Sequence, residues 1–500
     1  MQAAEQNQGK RFSIALLILF LAAAVRFYRV DIPFVETYNS LSRQSICASV
    51  AKNFYAGGFH FFNPEINENG RGPYLFQAEM PFGPYLMALG YKIAGGVREG
   101  VARSVSIFFS LGTILLLYLL AKRWYGEQAG LAAAAFAAFS PLNLALSRSV
   151  QPEAAILFGI TGAVYFYVVY LEEQKTRAFW LSGLSASFVV ASKFYNAFIL
   201  LPLALESILR EGGRFFGRWK NFGYAVLALV PLVWYFFMWK AEQGGQLAYC
   251  IFRYLHNVPG VPGYEIEIFN WSLIMQRLVI VIGGHLLTPL GALLFVAGIT
   301  SHRPSAGNRL LVMWLGSMTL MIVLGWKLSV QHSYYVLPLL PPAAVYIGKG
   351  WAAMVEGGAW KKPIMAALLL LLGFGSIAAC VHLYPGLYFI PERRAAIVET
   401  GRAADTLLPK DALVVASFET SPIQLYYCGR KGWSFPLNRP DAKLIEELES
   451  RKSGGAKFFV ISNPGDLSAV PVFENYLQTH FSLLKAEAAY RIYRLTGASN

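Results

Sequence analysis

Eleven apolar runs of about membrane length constrain this chain more than any other feature: they fall near 12–28, 103–121, 129–147, 153–171, 178–192, 194–209, 221–239, 279–300, 309–326, 334–350 and 363–383. A bilayer core of about 30 Å takes about 20 residues of helix, so such a series reads as repeated crossings rather than one soluble core. Composition agrees, with 55% hydrophobic against 14% charged residues and a mean hydropathy of +0.43. The expected fold is an α-helical polytopic membrane protein. A shorter run at 83–96 would reach only about 21 Å and is expected to lie at the interface or re-enter. Lys10 and Arg11 precede the apolar stretch Phe12 to Val25, and Arg26-Phe27-Tyr28-Arg29 follows where a cleavage site would stand, so the first span is read as uncleaved.

Lys and Arg choose the orientation. With the amino terminus inside, Lys122-Arg123, Lys175 and Arg177, Arg210 to Lys220, His302-Arg303 with Arg309, and Lys349 with Lys361-Lys362 all face the cytoplasm. The loop 34–102, Ser147 to Pro152, Ser192-Lys193, the loop 241–272, Trp326 to Ser333 and everything after Tyr384 then share the other face. The net charge of +14 is explained by cytoplasmic loops and anionic headgroups; the bases form no continuous stripe, which excludes nucleic acid as a partner. Cys47, Cys250, Cys380 and Cys428 make no CxxC, and the histidines form no HxH or HxxxH pair. Absence of GxGxxG, GxxxxGK[ST] and GxSxG weakens dinucleotide, NTPase and serine-hydrolase readings.

The tail changes character. Amphipathic stretches at 392–406 and 441–452 alternate with β-like runs Ala412 to Phe418 and Lys457 to Ile461, Asn463-Pro464-Gly465 signals a turn, and Phe481 to Leu495 has room for two more strands. This predicts a membrane domain over 1–384, with its first outer loop at 29–102, and a small extracytoplasmic α/β domain over 385–500.

That first loop concentrates ionisable groups at a membrane surface, where they mark chemistry or a headgroup site more often than packing. Glu36 follows the first span and Glu79 precedes the rigid Met80-Pro81-Phe82-Gly83-Pro84-Tyr85. Two carboxylates brought together there suit a general base for an acceptor hydroxyl, or a divalent cation beside a phosphate; solvated loop charges are the plain alternative. Arg43 suits forked phosphate contacts and Gln44 stands beside it, while snorkelling to lipid phosphates is the rival role. Arg148 and Glu153 are candidates for a mutual ion pair or for substrate contact, and Lys193 sits at the break between two short apolar segments, placed to hold a lipid-linked phosphate. His332 and Tyr334 precede a proline-rich span and offer hydrogen bonds to sugar or pyrophosphate, with an interfacial aromatic belt as the alternative for the tyrosines.

Taken in order, Arg43-Gln44, Ala51-Lys52-Asn53-Phe54-Tyr55, Gly57-Gly58, Glu79-Met80-Pro81 with Tyr85-Leu86, Arg103-Ser104-Val105-Ser106, Ser140-Pro141, Ser147-Arg148 with Pro152-Glu153, Ser192-Lys193, His332 with Tyr334-Tyr335 and Pro338, and Leu425-Tyr426-Tyr427 with Gly429 to Trp433 resemble the glycosyltransferase family 39-like proteins of the GT-C superfamily, relatives of protein O-mannosyltransferases and the lipid A aminoarabinose transferase. The resemblance runs from about 10 to about 435. It implies inverting transfer of a sugar from a polyprenyl phosphate in the bilayer to an extracytoplasmic glycan, lipid or protein, in the bacterial inner membrane. By position it makes Glu79 a site carboxylate, with Glu36 substituting for a first-loop acid because Tyr38 and Ser40 stand where that family has Asp and His. It makes Arg43 the family's loop arginine; with the residue reading, Arg43, Lys193 and Arg148 are expected to hold the donor phosphate, and Gln44, Tyr85, Glu153, His332 and Tyr334 to contact substrate. No cofactor motif is present, and a divalent metal on Glu36 and Glu79 stays open. The other readings are a lipid-linked-glycan transporter or binding protein on the same scaffold, and a polysaccharide polymerase.

Overall fold

The computed structural model describes residues 2–35, 41–76, 78–241, 271–356, 362–384, 386–418 and 421–496; Glu36, Tyr38, Ser40, Cys250, Lys361 and nearly all of the loop 241–272 lie outside them. Helix α1 (Gln2–Phe27) leads to the first loop, which holds α2 (Leu41–Gly57), a two-stranded ribbon of β1 (Glu65–Ile66) and β2 (Tyr74–Leu75), and α3 (Phe82–Ala94). At 13 residues, α3 reaches roughly 20 Å, too short to cross. The bundle continues with α4 (Glu99–Tyr125), α5 (Glu127–Phe139), α6 (Pro141–Ser147), α7 (Glu153–Glu173), α8 (Thr176–Ser192), a 3-10 turn Phe194–Ile199 and α9 (Leu200–Glu211).

Glu99–Tyr125, Glu153–Glu173, Trp219–Met238 and Val279–Thr300 are each long and apolar enough to cross a membrane. The run expected as one span at 129–147 is instead the pair α5 and α6, bent by 63°. Pro141 explains the break, since its ring collides with the carbonyl one turn back and it lacks an N–H. The carbonyls released there find side-chain donors: Asn143 Nδ2 donates to Ala137 (2.6 Å) and the buried Arg26 donates to Ala138 (2.8 Å). Runs 194–209 and 334–350 also differ from simple spans. Each begins with a 3-10 turn, Phe194–Ile199 and Ser333–Leu339, entered from an extended residue, Lys193 (φ −158°) and His332 (φ −132°).

Helices Thr288–Thr300 and Leu340–Glu356 touch backbone to backbone: a Cβ on Gly298 would lie 2.0 Å from the Tyr346 carbonyl, and one on Gly350 would lie 2.2 Å from that of Leu294. Gly348 opens the same face to α5, beside the Ala129 carbonyl. Small residues are what such contact requires within a membrane, where water supplies no hydrophobic drive between helices.

The basic loop ends gather at one end of this bundle. Arg123 bonds Glu172 and Glu173 at 2.6 Å each, Arg309 bonds Glu206 through two nitrogens (2.7 and 2.8 Å), and Lys349 lies 5.5 Å from the Tyr125 ring. Helix α7, 21 residues and roughly 32 Å long, runs from there to Glu153 at the opposite end.

Beyond the helix Lys362–Leu383, the chain forms a five-stranded sheet in the order β4-β3-β5-β7-β6, with β3 (Val414–Ser417), β4 (Gly432–Ser434) and β5 (Phe458–Ser462) parallel, β7 (Tyr490–Arg494) antiparallel to β5, and β6 (Ser482–Glu487) antiparallel to β7 at the edge. Helices Glu392–Leu407 and Asp441–Ser453 fall on the two amphipathic stretches. This sheet is stitched to the first loop. Gly432 N donates to Asn67 O (3.0 Å), Gly70 N donates to Gly432 O (2.9 Å), Lys431 pairs with Glu65, and Phe34 N donates to the Tyr427 hydroxyl (2.6 Å). Phe34, Ala48, Tyr91, Val150, Ile397 and Tyr426 share one buried core, so loop and tail fold around common apolar side chains.

Candidate active site

One turn of α2 aligns Arg43 with Cys47 and aims both inward. The guanidinium of Arg43 pairs with the Glu79 carboxylate and lies 4.8 Å from the Phe76 ring centre, and Glu79 is 2% exposed. Backbone bonding fixes Glu79: Met80 N donates to Ala191 O (3.0 Å), tying this connector to the end of α8 just before Lys193. Lys193 then turns extended, and its ammonium pairs with Glu153 in the first turn of α7 while lying 4.5 Å from the ring centre of Tyr334. Lys193 and Glu153 keep 7% and 4% of their side-chain surface.

The two ion pairs form one electrostatic unit. Burial pushes the Glu79 carboxyl above the ordinary carboxylate value, Arg43 and Lys193 pull it back, and Glu153 pushes it further up. Burial raises the Cys47 thiol to about 12, which leaves it a neutral wall group rather than a nucleophile. A small cavity borders Glu79, Cys47, Ser106, Phe109, Gln151 and Ser192, and a second small one borders Glu153, Lys193, Asn196 and Tyr334. Among the described residues, Glu153 Oε2, Asn196 Oδ1 and both polar atoms of Gln151 lack a hydrogen-bond partner.

The residues expected from the sequence divide. Arg43, Glu79, Lys193, Glu153 and Tyr334 come together, and His332 stacks on Tyr334 with ring centres 5.2 Å apart. Glu36 lies outside the described residues. Arg148 corrects the expectation that it holds donor phosphate or pairs with Glu153. Its guanidinium is fully buried and donates to the carbonyls of Arg26, Tyr28 (2.7 Å), Arg29 (3.3 Å) and Leu387 (3.3 Å), and Glu153 pairs with Lys193 instead. The last carbonyls of a helix lack intrahelical donors, and Arg148 supplies them at the end of α1. Gln44, expected to contact substrate, accepts from Val150 N (2.9 Å) and so positions the connector before α7. Tyr85 packs edge-on against Phe54, Phe59 and Phe61, at 5.3 to 5.9 Å between ring centres, and borders neither cavity.

Gln151 and Asn196 went unread in the sequence. Each stands within three residues of a charged candidate, but an amide in a short connector looks like ordinary turn chemistry. No group of three His, Cys, Asp or Glu among the described residues is placed to hold a metal ion. Glu79, the described half of the suggested cation pair, has its carboxylate engaged by Arg43.

This architecture, helices around a buried site beside the first loop and the small sheet, is similar in fold to solved membrane glycosyltransferases, in keeping with the GT-C-like fold that the sequence resemblance implied. Residues 78–239 match the family of dolichyl-phosphate-mannose-protein mannosyltransferases, a segment that contains Glu79, Glu153 and Lys193. Among solved structures, ArnT from Cupriavidus metallidurans bound to undecaprenyl phosphate is similar over 97% of this chain and 98% of its own, with TM-score 0.65 and 14% identity. The Archaeoglobus fulgidus oligosaccharyltransferase in complex with Zn and sulfate matches 95% of this chain and 72% of its own (TM-score 0.53, 14% identity). The mycobacterial arabinofuranosyltransferase AftD matches 96% of this chain and 41% of its own (TM-score 0.57, 13% identity). By sequence, no curated protein matches the chain.

Proposed function

We propose that this protein is an inverting glycosyltransferase that moves a sugar from a polyprenyl phosphate to a hydroxyl of a glycan, lipid or protein on the extracytoplasmic face of a bacterial inner membrane. The observation that carries the reading is the pair of buried ion pairs, Arg43–Glu79 and Lys193–Glu153, bordering adjoining cavities at one end of the bundle. The matched family segment and the likeness to ArnT, a protein solved with undecaprenyl phosphate, support a lipid-phosphate donor.

Each ion pair pre-positions a cation for a phosphate. An arriving donor phosphate exchanges with Glu153 on Lys193, so the ammonium stays paired throughout. As the bond between the sugar's anomeric carbon and the phosphate oxygen breaks, that oxygen keeps the electron pair, and Lys193 and Arg43 offset its growing charge. The acceptor oxygen forms its bond to the anomeric carbon from the opposite side, which inverts the configuration. Its proton passes to Glu79, whose burial raises its affinity for that proton. The surrounding burial keeps water from competing for the sugar.

The test is transfer by the purified protein from polyprenyl-phosphate sugars. Wild type is expected to transfer, Glu79→Gln to lose about 10²- to 10⁴-fold in turnover while still binding donor, and Lys193→Met to raise the donor KM. Near-normal turnover by Glu79→Gln would reject its role. Donor binding without transfer or donor hydrolysis by wild type would favour the transporter reading, and exclusive use of lipid-linked oligosaccharides would mark a polymerase.

A further inference from the structure

The amide of Gln151 is 3% exposed, yet neither Nε2 nor Oε1 has a hydrogen-bond partner among the described residues. Buried polar groups are rarely left so, and those that are call for a ligand, a water or a functional cause. Its placement is rigid. Gln44 holds the preceding backbone at Val150 N, and Pro152 opens α7 immediately after it. The side chain borders the cavity that also holds Glu79, and Phe109 and Phe188, stacked at 5.8 Å, form an aromatic wall of that cavity.

The chemistry of the amide narrows what belongs there. It presents a donor and an acceptor side by side. A phosphate oxygen satisfies the donor alone, and an isoprenoid chain satisfies neither. A sugar hydroxyl both donates and accepts, and the C–H face of a sugar ring is apolar enough to pack on Phe109 and Phe188. Resting on the glycosyltransferase reading, we infer that Gln151 is the specificity-determining residue that reads a ring hydroxyl of the donor sugar, seated between Glu79 and the Phe109–Phe188 wall.

Polyprenyl-phosphate sugars accepted by wild type, together with their monodeoxy analogues, test this. A site built to bond a hydroxyl strongly rejects the analogue that lacks it, because the amide is then left unpaired. Wild type is expected to favour the full sugar over one deoxy analogue by about 10- to 100-fold in kcat/KM. In Gln151→Met, an apolar side chain of similar length, that preference should fall below about 3-fold, and sugar-free polyprenyl phosphate should inhibit both proteins equally. Gln151→Ala should give the same ratio if the methionine variant does not fold. Unchanged discrimination in these variants overturns the inference. So does an equal loss for full and deoxy donors, the result expected if the amide only holds a structural water. If wild type transfers sugar but discriminates no hydroxyl, this inference alone fails; if it transfers none, the transferase reading fails and takes the inference with it.

Discussion

Arg148 and Lys193 have the same charge and both stand at helix ends, yet they face different oxygens. Arg148 is surrounded by backbone carbonyls, and Lys193 by a carboxylate and aromatic rings beside a cavity. Arg148→Ala should therefore cost about 3 kcal/mol or more through orphaned carbonyls, seen as a lower melting temperature, while the protein that stays folded keeps its donor KM. The sequence marked the position of Lys193 because an ammonium at a chain break within apolar sequence stands out, and the structure sets it beside Glu153 and a cavity. Arg148 was misread because a carbonyl-capping arginine and a phosphate-binding one look alike until the backbone around them is placed. Arg43 offers a second test at this scale. Its charge pulls the Glu79 carboxyl downward, so Arg43→Gln should move the acid limb of the rate profile to higher pH.

Among the elements, the 3-10 turns Phe194–Ile199 and Ser333–Leu339 repeat one local design, each entered from an extended residue and each followed by a helix directed away from the site. Their aromatic residues meet, Tyr195 on Tyr335 at 5.3 Å, which brings Lys193 and His332 to one wall. Apolar run length located these segments but not their 3-10 starts, because hydropathy carries no record of a chain entering its span through an extended residue. The apolar run 129–147 reads as one span and Pro141 breaks it; what satisfied its freed carbonyls came from Arg26 and Asn143, and only Asn143 is a near neighbour in the chain. Where glycines let helices touch, a side chain should not fit. Gly298→Val would press into the Tyr346 carbonyl and is expected to destabilise by about 1–3 kcal/mol or more, read as loss of the folded fraction in detergent.

At the scale of the whole molecule, the carboxyl-terminal sheet and the first loop act as one cap over the membrane helices. The α/β character of the tail was readable from its alternating amphipathic and β-like stretches. Its docking was not, since β4 is three residues long and its partners Asn67 and Gly70 lie more than three hundred positions earlier. Glu68 belongs to this junction; burial raises its carboxyl above the usual value while Ser434 Oγ donates to it at 2.8 Å. Gly70→Val should pry the cap loose, because its Cβ would meet the Trp433 ring at 2.7 Å and its φ of +104° disfavours any side chain. The expected result is faster proteolysis in the first loop and lower transfer, with the membrane helices intact.

The proposed transfer requires a buried Glu79 that acts as base beside cations that hold the lipid phosphate. Single-turnover transfer from a prebound polyprenyl-phosphate sugar, followed against pH in wild type and Glu79→Gln, tests it most directly. A base must be deprotonated, and burial raises this one, so the wild-type rate should climb with pH through a value above the ordinary carboxylate range. Glu79→Gln should lose that limb and fall by about 10² or more. Equal rates in the two proteins, or the same acid limb in both, would contradict the account.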